Sequence, residues 1–199
     1  MASHSTRDYP PGVSLLRRCH LSLETGHGMD AEAISQWLLG DASRATDMIG
    51  LIEGYVSFLA QAGLGVSRLS LNVGTLHPQA LGYAWNWSST DGFCDEIQIR
   101  EEVLRTDAYM KNPLYRAMEY GEIVKVPLHR PGPMAESKLL QALRHEGFTE
   151  YLAIPLSASG ERFNAVTLAT HQAGGFADSQ IPKLDQLLKL FSLHMDRHI

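Results

Sequence analysis

The sequence predicts one α+β domain in which a mainly antiparallel sheet of about six strands is flanked by helices. Apolar residues recur at spacings of three and four near both ends of the domain, and six short segments between these regions have strand character. The strands are joined by short connections, and neither βαβ alternation nor a repeat of 20–50 residues occurs. A length of 199 residues with 44% hydrophobic side chains is sufficient for one well-filled core.

Composition and charge exclude several classes of protein. The 17 Lys and Arg residues against 22 Asp and Glu residues leave a net charge of −5, which disfavours binding to a nucleic-acid backbone. No apolar run approaches the roughly 20 residues of a membrane-spanning helix, and no apolar segment follows Arg7 as in a secretory signal. Two cysteines, Cys19 and Cys94, are too few for a disulfide scaffold or an all-cysteine zinc site. We therefore expect a cytoplasmic protein with reduced thiols, no metal site, and neither nucleic acid nor membrane as a partner.

The N-terminal segment differs in composition from the rest of the chain. Residues 1–28 are rich in Ser, Gly, His and Pro and show no sustained period, which predicts a flexible leader before a domain at 29–199, with room for a short ordered piece around Val13–Leu16. Asp30 is placed to cap a short helix that ends near Gly40. A longer helix is predicted over residues 48–59, where apolar side chains recur every three or four positions and glycines follow.

Most of the strand signal lies in the middle and the C-terminal part of the chain. Apolar and polar residues alternate in Arg68–Leu76 and again in 81–87, so the link at 76–80 predicts a β-hairpin. Further strands are predicted at Glu96–Arg100, 122–128, Glu150–Leu156 and Asn164–Thr170, with a helix at Met134–Glu146 and a final helix from Asp178 to residue 199. Residues 101–121 show no clean period.

The final helix carries apolar residues on two sides. Leu184, Leu188, Phe191 and Met195 form one stripe, and Leu187, Leu190 and His194 form a second one, with Leu193 between them. One stripe is enough for packing against the domain. The second stripe has two readings: the helix is buried deep in its own domain, or Leu187, Leu190, Leu193 and His194 form a homodimer interface.

The last 49 residues contain an ordered set of features. The segment Tyr151–Ile199 has a strand ending in Ile154-Pro155-Leu156, a polar turn with Gly160, a strand of small and apolar residues at Val166–Ala169, and Phe176 and Asp178 before a helix. This order resembles the closing half of a GAF domain. A proline inside a strand is otherwise discouraged, so its presence adds weight to the resemblance. The resemblance implies a PAS-related sheet flanked by helices.

A wider set of segments narrows the resemblance. Trp37-Leu38-Leu39-Gly40, Arg68–Leu76 with His77-Pro78, LRHEGFTEYLAIP at 143–155, Asn164-Ala165-Val166-Thr167 and Gly174-Gly175-Phe176-Ala177-Asp178 together cover about residues 31–199. They are similar to the N-terminal GAF-like region of bacterial class III adenylate and guanylate cyclases. This resemblance implies a sensory region that signals to a cyclase catalytic domain after the last helix, a domain absent from these 199 residues.

In the GAF arrangement, an irregular middle segment covers one face of the sheet and encloses a small-molecule cavity. Here that segment is about 88–133, and it is rich in aromatic and Met side chains. The candidate pocket residues are Trp85, Trp87, Phe93, Tyr109, Met110, Tyr115, Arg116 and Met118. The same side chains also suit ordinary core packing, and that alternative stays open.

Neither a ligand nor a cofactor is identified by the sequence. The cysteine set of GAF domains that reduce free methionine sulfoxide, a bilin-attachment motif and the residue set of cyclic-nucleotide-binding GAF domains are not recognisable. GxSxG, HExxH, P-loop and GxGxxG patterns are absent. Three functions stay open: a sensory domain that dimerises and binds a small molecule, an interaction module without a ligand, and a small enzyme that uses Arg116 or His129 as an acid–base group.

Overall fold

A computed structural model describes residues 7–22, 31–40, 45, 47–74, 82–130, 132, 137–159 and 162–195. The strands are β1 (Val13–His20), β2 (Val66–Gly74), β3 (Gly82–Ser88), β4 (Phe93–Ile99), β5 (Val124–Pro127), β6 (Glu150–Ser159) and β7 (Arg162–Thr170). The helices are α1 (Ala31–Leu39), α2 (Met48–Gln61), α3 (Asp107–Met110), α4 (Pro113–Tyr120), α5 (Lys138–His145) and α6 (Ile181–Met195). Short 3-10 helices occupy Glu101–Arg105 and Asp178–Gln180.

The seven strands form one sheet with the order β1-β4-β3-β2-β7-β6-β5. Every neighbouring pair is antiparallel. The α+β fold class is thus confirmed, with one strand more than expected. The hairpin of β2 and β3 is also confirmed, because Leu71 pairs with Trp85 across it. The helix cap at Asp30, the hairpin link at 76–80 and the helix start at Met134 lie outside the described residues.

Helix α2 shows how local chemistry sets an element boundary. The Asp47 carboxylate accepts a hydrogen bond from the backbone N–H of Gly50 at 2.9 Å, which satisfies one of the unpaired donors of the first turn. Ile52, Tyr55 and Leu59 recur at spacings of three and four and are buried. The helix predicted at 48–59 is therefore confirmed. None of the helices among the described residues has the length and apolar character that crossing a bilayer requires.

The two faces of the sheet carry different cores, because successive residues of a strand point to opposite sides. On β2, Leu69 and Leu71 belong to a helix-side core between the sheet and helices α1, α2 and α6. Ser70 and Asn72 point to the opposite face. There a second core contains residues of α4, α5, β5, β6 and β7, namely Ala117, Met118, Val124, Leu128, Leu140, Leu143, Phe148, Tyr151, Ala153, Ala165 and Ala169.

Strand β1 corrects the expected boundary between leader and domain. The sequence analysis placed residues 1–28 outside the domain, but Val13–His20 forms an edge strand that pairs with β4. Its sequence contains Arg17-Arg18 and has exposed positions next to the apolar ones, so it lacks the alternation that marks a half-buried strand. The domain therefore already includes residues 7–22, while 1–6 and 23–30 lie outside the described residues.

Helix α6 confirms the final helix and changes the expectation for its second stripe. Leu187 is 1% exposed and belongs to the helix-side core, and His194 is also buried. The reason is that α6 contacts α1, α2 and β6, so its own domain covers both apolar sides. Of the four residues assigned to a dimer interface, Leu190 is partly buried and only Leu193, at 61% exposure, is clearly at the surface.

Candidate functional site

The sheet separates the eight side chains assigned to a pocket. Trp85 and Trp87 are buried in the helix-side core, whereas Met118 of α4 lies in the second core on the opposite face. Both tryptophans share one face of β3, as their spacing of two requires. The structure therefore does not bring the two tryptophans together with Met118. Trp85 and Trp87 are core residues, which is the alternative to pocket lining that the sequence left open.

The remaining predicted pocket residues lie at the periphery of the second face. Tyr109 and Tyr115 form an edge-to-face pair with ring centroids 5.5 Å apart, and Met110 is half exposed. The Arg116 guanidinium is exposed and forms an ion pair with Glu122 at 2.5 Å. Phe93 is half-buried on the same face near the β1–β4 edge of the sheet, and its ring meets that of His20 edge to face at 5.2 Å.

A polar surface occupies the centre of the second face, where the alternation of β2 places it. Ser70 lies between Asn86 of β3 and Thr167 of β7 in the strand register, and Asn72 follows Ser70 on the same side. All four side chains are buried. The Asn72 amide donates to the hydroxyl and to the carbonyl oxygen of Ser70, both at 3.1 Å. We call these four residues the polar floor.

Arg68 and Tyr151 stand at one end of the polar floor. Arg68 precedes Ser70 by two positions on β2, and its register partner on β7 is Ala169. Ala169 also pairs with Tyr151 of β6, so one small residue separates the two long side chains. Burial raises the pKa of Tyr151 to about 12, although the neighbouring Thr167 side chain acts to lower it. Within the described part of the chain, the Tyr151 hydroxyl forms no hydrogen bond of ordinary geometry. Burial is likewise the largest cause that lowers the pKa of Arg68.

The N-terminal segment covers the β4 side of the same face through a buried carboxylate. Asp95 of β4 is fully buried and accepts hydrogen bonds from Arg18 at 2.6 and 2.8 Å and from the Tyr9 hydroxyl at 2.7 Å. Desolvation alone would raise the pKa of Asp95, but these hydrogen bonds and the charge of Arg7 outweigh it and lower the pKa below its usual value. Arg7 also binds Asp91 and the backbone oxygen of Asn86.

The two cysteines lie opposite each other in the register of β1 and β4. The sequence analysis placed Cys19 in the leader, but it is half-buried directly across from the fully buried Cys94. Both thiols are free. Burial raises the pKa of Cys94 to about 12, so its thiolate is scarce at neutral pH. Within the described residues, no group of three or more His, Cys, Asp or Glu side chains is arranged to hold a metal ion.

Comparison with solved structures identifies the fold. No protein family matches the sequence, and no curated protein matches it. The chain is similar to the GAF domain of a phosphoenolpyruvate-protein phosphotransferase from Coxiella burnetii, with a TM-score of 0.57 and 12% identity over 84% of this chain and 94% of that one. The chain has the GAF fold. This confirms the fold implied by the sequence resemblance.

Two further solved structures that are similar to this chain contain small molecules. One is the phycoerythrobilin-bound GAF domain from a cyanobacterial phytochrome, with a TM-score of 0.54 and 11% identity over 84% of this chain and 95% of that one. The other is the free methionine-R-sulfoxide reductase from Neisseria meningitidis in complex with its substrate, with a TM-score of 0.50 and 13% identity over 89% and 96%. At such identities the likeness establishes the fold alone.

Within this GAF fold, sequence reasoning missed the residues that form the polar floor and its Arg68 end. The signal was present, since Leu69 and Leu71 alternate with Ser70 and Asn72. The sequence analysis uses that alternation only to predict a strand and a hairpin, and it assigns no role to the polar side chains. Only the presence of α4 over β6 and β7 shows that this side is interior as well.

Proposed function

We propose that this chain is a non-catalytic regulatory domain that binds a small molecule over the polar floor. Binding changes the packing of α6, and α6 transmits this change to an output domain. The observation that carries the proposal is the buried polar floor itself. Four buried side chains with hydroxyl and amide groups line a sheet face that a packed domain would ordinarily fill with apolar residues. Binding sites combine apolar walls with a few convergent polar groups, and Met118 and Ala117 of α4 supply the apolar part beside it.

The similar structures support a binding role. The phycoerythrobilin-bound domain and the reductase with its substrate are examples of this fold that hold small molecules. A non-catalytic role is supported by the positions of the groups considered for acid–base chemistry, because Arg116 and His129 are both exposed at the periphery. The raised pKa of the Cys94 thiol makes it a poor nucleophile.

Transmission through α6 follows from what this helix contacts. It packs on β6 of the sheet and on α1 and α2. Tyr151 and Ala153 of β6 face the second core, while Leu152 and Ile154 of the same strand face the helix-side core. A ligand that prefers one position of β6 therefore shifts the packing of α6, provided that its affinity for the two arrangements differs. The helix then acts as the element with two positions.

We further propose that two copies associate through the outer side of the α1 and α6 pair. Leu193 on α6 and Leu39 on α1 are both exposed, and the two helices contact each other. Replacing Leu193 by glutamate should convert the dimer to monomers without unfolding them, since the side chain is at the surface. Gln186→Glu is the matched control, because Gln186 is also exposed on α6 and gains the same charge. Sedimentation velocity that finds wild-type monomers at high concentration refutes the dimer.

The output domain is proposed to be a class III cyclase catalytic domain in the cytoplasm. Support for this comes from the sequence resemblance over about residues 31–199 and from two free thiols, which suit a reducing compartment. The test is a fusion of such a catalytic domain after residue 199, with cyclic AMP production as the readout. The proposal predicts that production changes when the regulatory domain carries Leu193→Glu. An unchanged rate contradicts the output assignment and leaves ligand binding unaffected.

Native mass spectrometry tests the binding role itself. Protein purified from cells under gentle conditions should carry a non-covalent molecule that is released on denaturation. Hydrogen exchange should then be slower in β6 and α6 of the occupied protein than in the stripped protein. If no molecule is retained and no added compound alters exchange in β6, the chain functions instead as an interaction module without a ligand.

A further inference from the structure

Arg68 differs from the other arginines of the second face and its surroundings. Arg7 pairs with Asp91, Arg18 with Asp95, and Arg116 with Glu122. Arg68 forms no ion pair and no side-chain hydrogen bond with any described residue. Since a guanidinium remains protonated at all accessible pH values, this positive charge has no paired carboxylate among the described residues.

Burial and another cation act on Arg68. Among the charged and titratable groups that act on it, the cation Arg7 has the largest effect, followed by the weak contributions of Tyr151, Glu146 and Tyr9. Desolvation by the surrounding protein has a larger effect than any of these charges. A partly desolvated guanidinium beside another cation is costly unless an anion offsets it. A side chain that merely reached into bulk water would not experience such desolvation.

Tyr151 supplies a second donor next to Arg68. Both side chains rise from the same sheet face on either side of Ala169, so their Cα atoms are about 10 Å apart, twice the spacing of neighbouring strands. Ala169 between them is small, so its own side chain does not fill the gap between the guanidinium and the phenol. The buried Tyr151 hydroxyl is without a hydrogen-bond partner of ordinary geometry among the described residues. A buried hydroxyl in this position costs free energy unless an acceptor satisfies it.

We propose that the ligand of this domain is a small organic anion whose carboxylate or phosphate group binds between Arg68 and Tyr151. This inference rests on the proposed function, because it assigns the charge class of the molecule that binds over the polar floor. The guanidinium donates two parallel hydrogen bonds to the oxyanion, and the phenol donates a third. The rest of the ligand lies over Ala169 and Thr167 toward Ser70 and Asn72, which offer hydroxyl groups and an amide.

Matched pairs of probes test the charge class. Isothermal titration calorimetry on the full chain would compare 4-hydroxybenzoate with 4-hydroxybenzamide, succinate with succinamide, glycerol 3-phosphate with glycerol, and adenosine 5′-monophosphate with adenosine. The proposal predicts that at least one anion binds roughly 10- to 100-fold more tightly than its neutral partner, as expected for hydrogen bonds to a charged group. Carboxylate and phosphate pairs distinguish the two kinds of oxyanion.

Variants locate the preference at Arg68. Arg68→Gln should remove roughly 10- to 100-fold of the affinity for the anion and leave the affinity for the neutral partner unchanged. Arg116→Gln, an arginine of the same domain that already pairs with Glu122, should change neither. If circular dichroism shows that Arg68→Gln does not fold, Tyr151→Phe is the second variant. It keeps the ring, removes one donor, and should lower the affinity for the anion by about 3- to 10-fold.

The possible failures separate the two proposals. Neutral partners that bind as tightly as the anions, or an Arg68→Gln variant with undiminished anion affinity, overturn the assignment of an anion and leave the binding role intact. If none of the probes binds, the charge of the molecule retained in native mass spectrometry decides. An anionic molecule supports the inference, a neutral or cationic one overturns it, and the absence of any molecule overturns both proposals.

Discussion

Replacing Asp95 by asparagine should destabilise the domain by about 3 kcal/mol. The carboxylate is fully buried and accepts three hydrogen bonds, two from Arg18 and one from Tyr9, with Arg7 at 3.5 Å from the same group. Asparagine preserves the volume but turns one acceptor oxygen into an N–H₂ donor, which then faces donors. At least one hydrogen bond is lost and the others lose their ionic character.

The magnitude follows from the number and the exposure of the partners. A hydrogen bond to a charged group contributes about 1.5–3 kcal/mol, and breaking a buried ion pair typically costs about 3–5 kcal/mol. Arg18 and Arg7 retain 27% and 16% side-chain exposure, so water partly replaces the lost carboxylate and the lower end of the range applies. For a chain of this length, about 3 kcal/mol corresponds to a decrease in Tm of roughly 6–12 °C.

Urea denaturation and thermal unfolding at pH 7 measure this change. Glu101→Gln is the control, because Glu101 also pairs with an arginine but is exposed, and it should stay within about 0.5 kcal/mol of wild type. Since the folded state lowers the pKa of Asp95, its contribution is complete above the unfolded pKa of about 3.9 and is lost as the pH falls through the folded pKa. An Asp95→Asn cost no larger than that of the control, or one that grows as the pH falls below 4, refutes this reasoning.

Two further predictions concern packing and thiol chemistry. Gly54→Ala should destabilise by about 1–3 kcal/mol despite the better helix propensity of alanine, because the new Cβ would lie 2.4 Å from the ring of Trp37; Gly50→Ala in the same helix meets no such contact and should be neutral or stabilising in the same denaturation assay. In the native protein, N-ethylmaleimide should label the half-buried Cys19 before Cys94, whose pKa is about 12, and peptide mass spectrometry after timed quenching would show this order. Equal labelling rates would mean that β1 detaches from β4 in solution.

Several elements of the fold could be predicted because their signal is local. The spacing of apolar residues and the glycines that follow them are sufficient to predict α2, and strict alternation predicts β2 and β3 with their antiparallel pairing. Strand β1 could not be predicted in this way. Its edge position leaves several of its side chains exposed, so no alternation results, and its pairing with β4 depends on residues about 80 positions away in the chain.

The candidate site also shows which features follow from local sequence and which depend on tertiary packing. The pocket prediction selected large aromatic residues close together in sequence, but Trp85 and Met118 lie on opposite faces of the sheet. The interface prediction relied on two apolar sides of α6, and Leu187 is covered by the protein's own helices. Both differences have one cause, because a single sequence shows which side chains are apolar but not which neighbour covers them.

Periodicity and turn chemistry in the sequence alone determined the α+β class and the order of most elements, because these depend on neighbours within a few residues. The resemblance to a GAF domain came from particular residue runs, such as Ile154-Pro155-Leu156. The tertiary structure alone decided that Arg68 and Tyr151 flank Ala169 and that the polar floor is interior. Those relationships join β2 to β6 and β7, which lie about 80 to 100 residues further along the chain, and they arise only when the strands pair and α4 packs on β6 and β7.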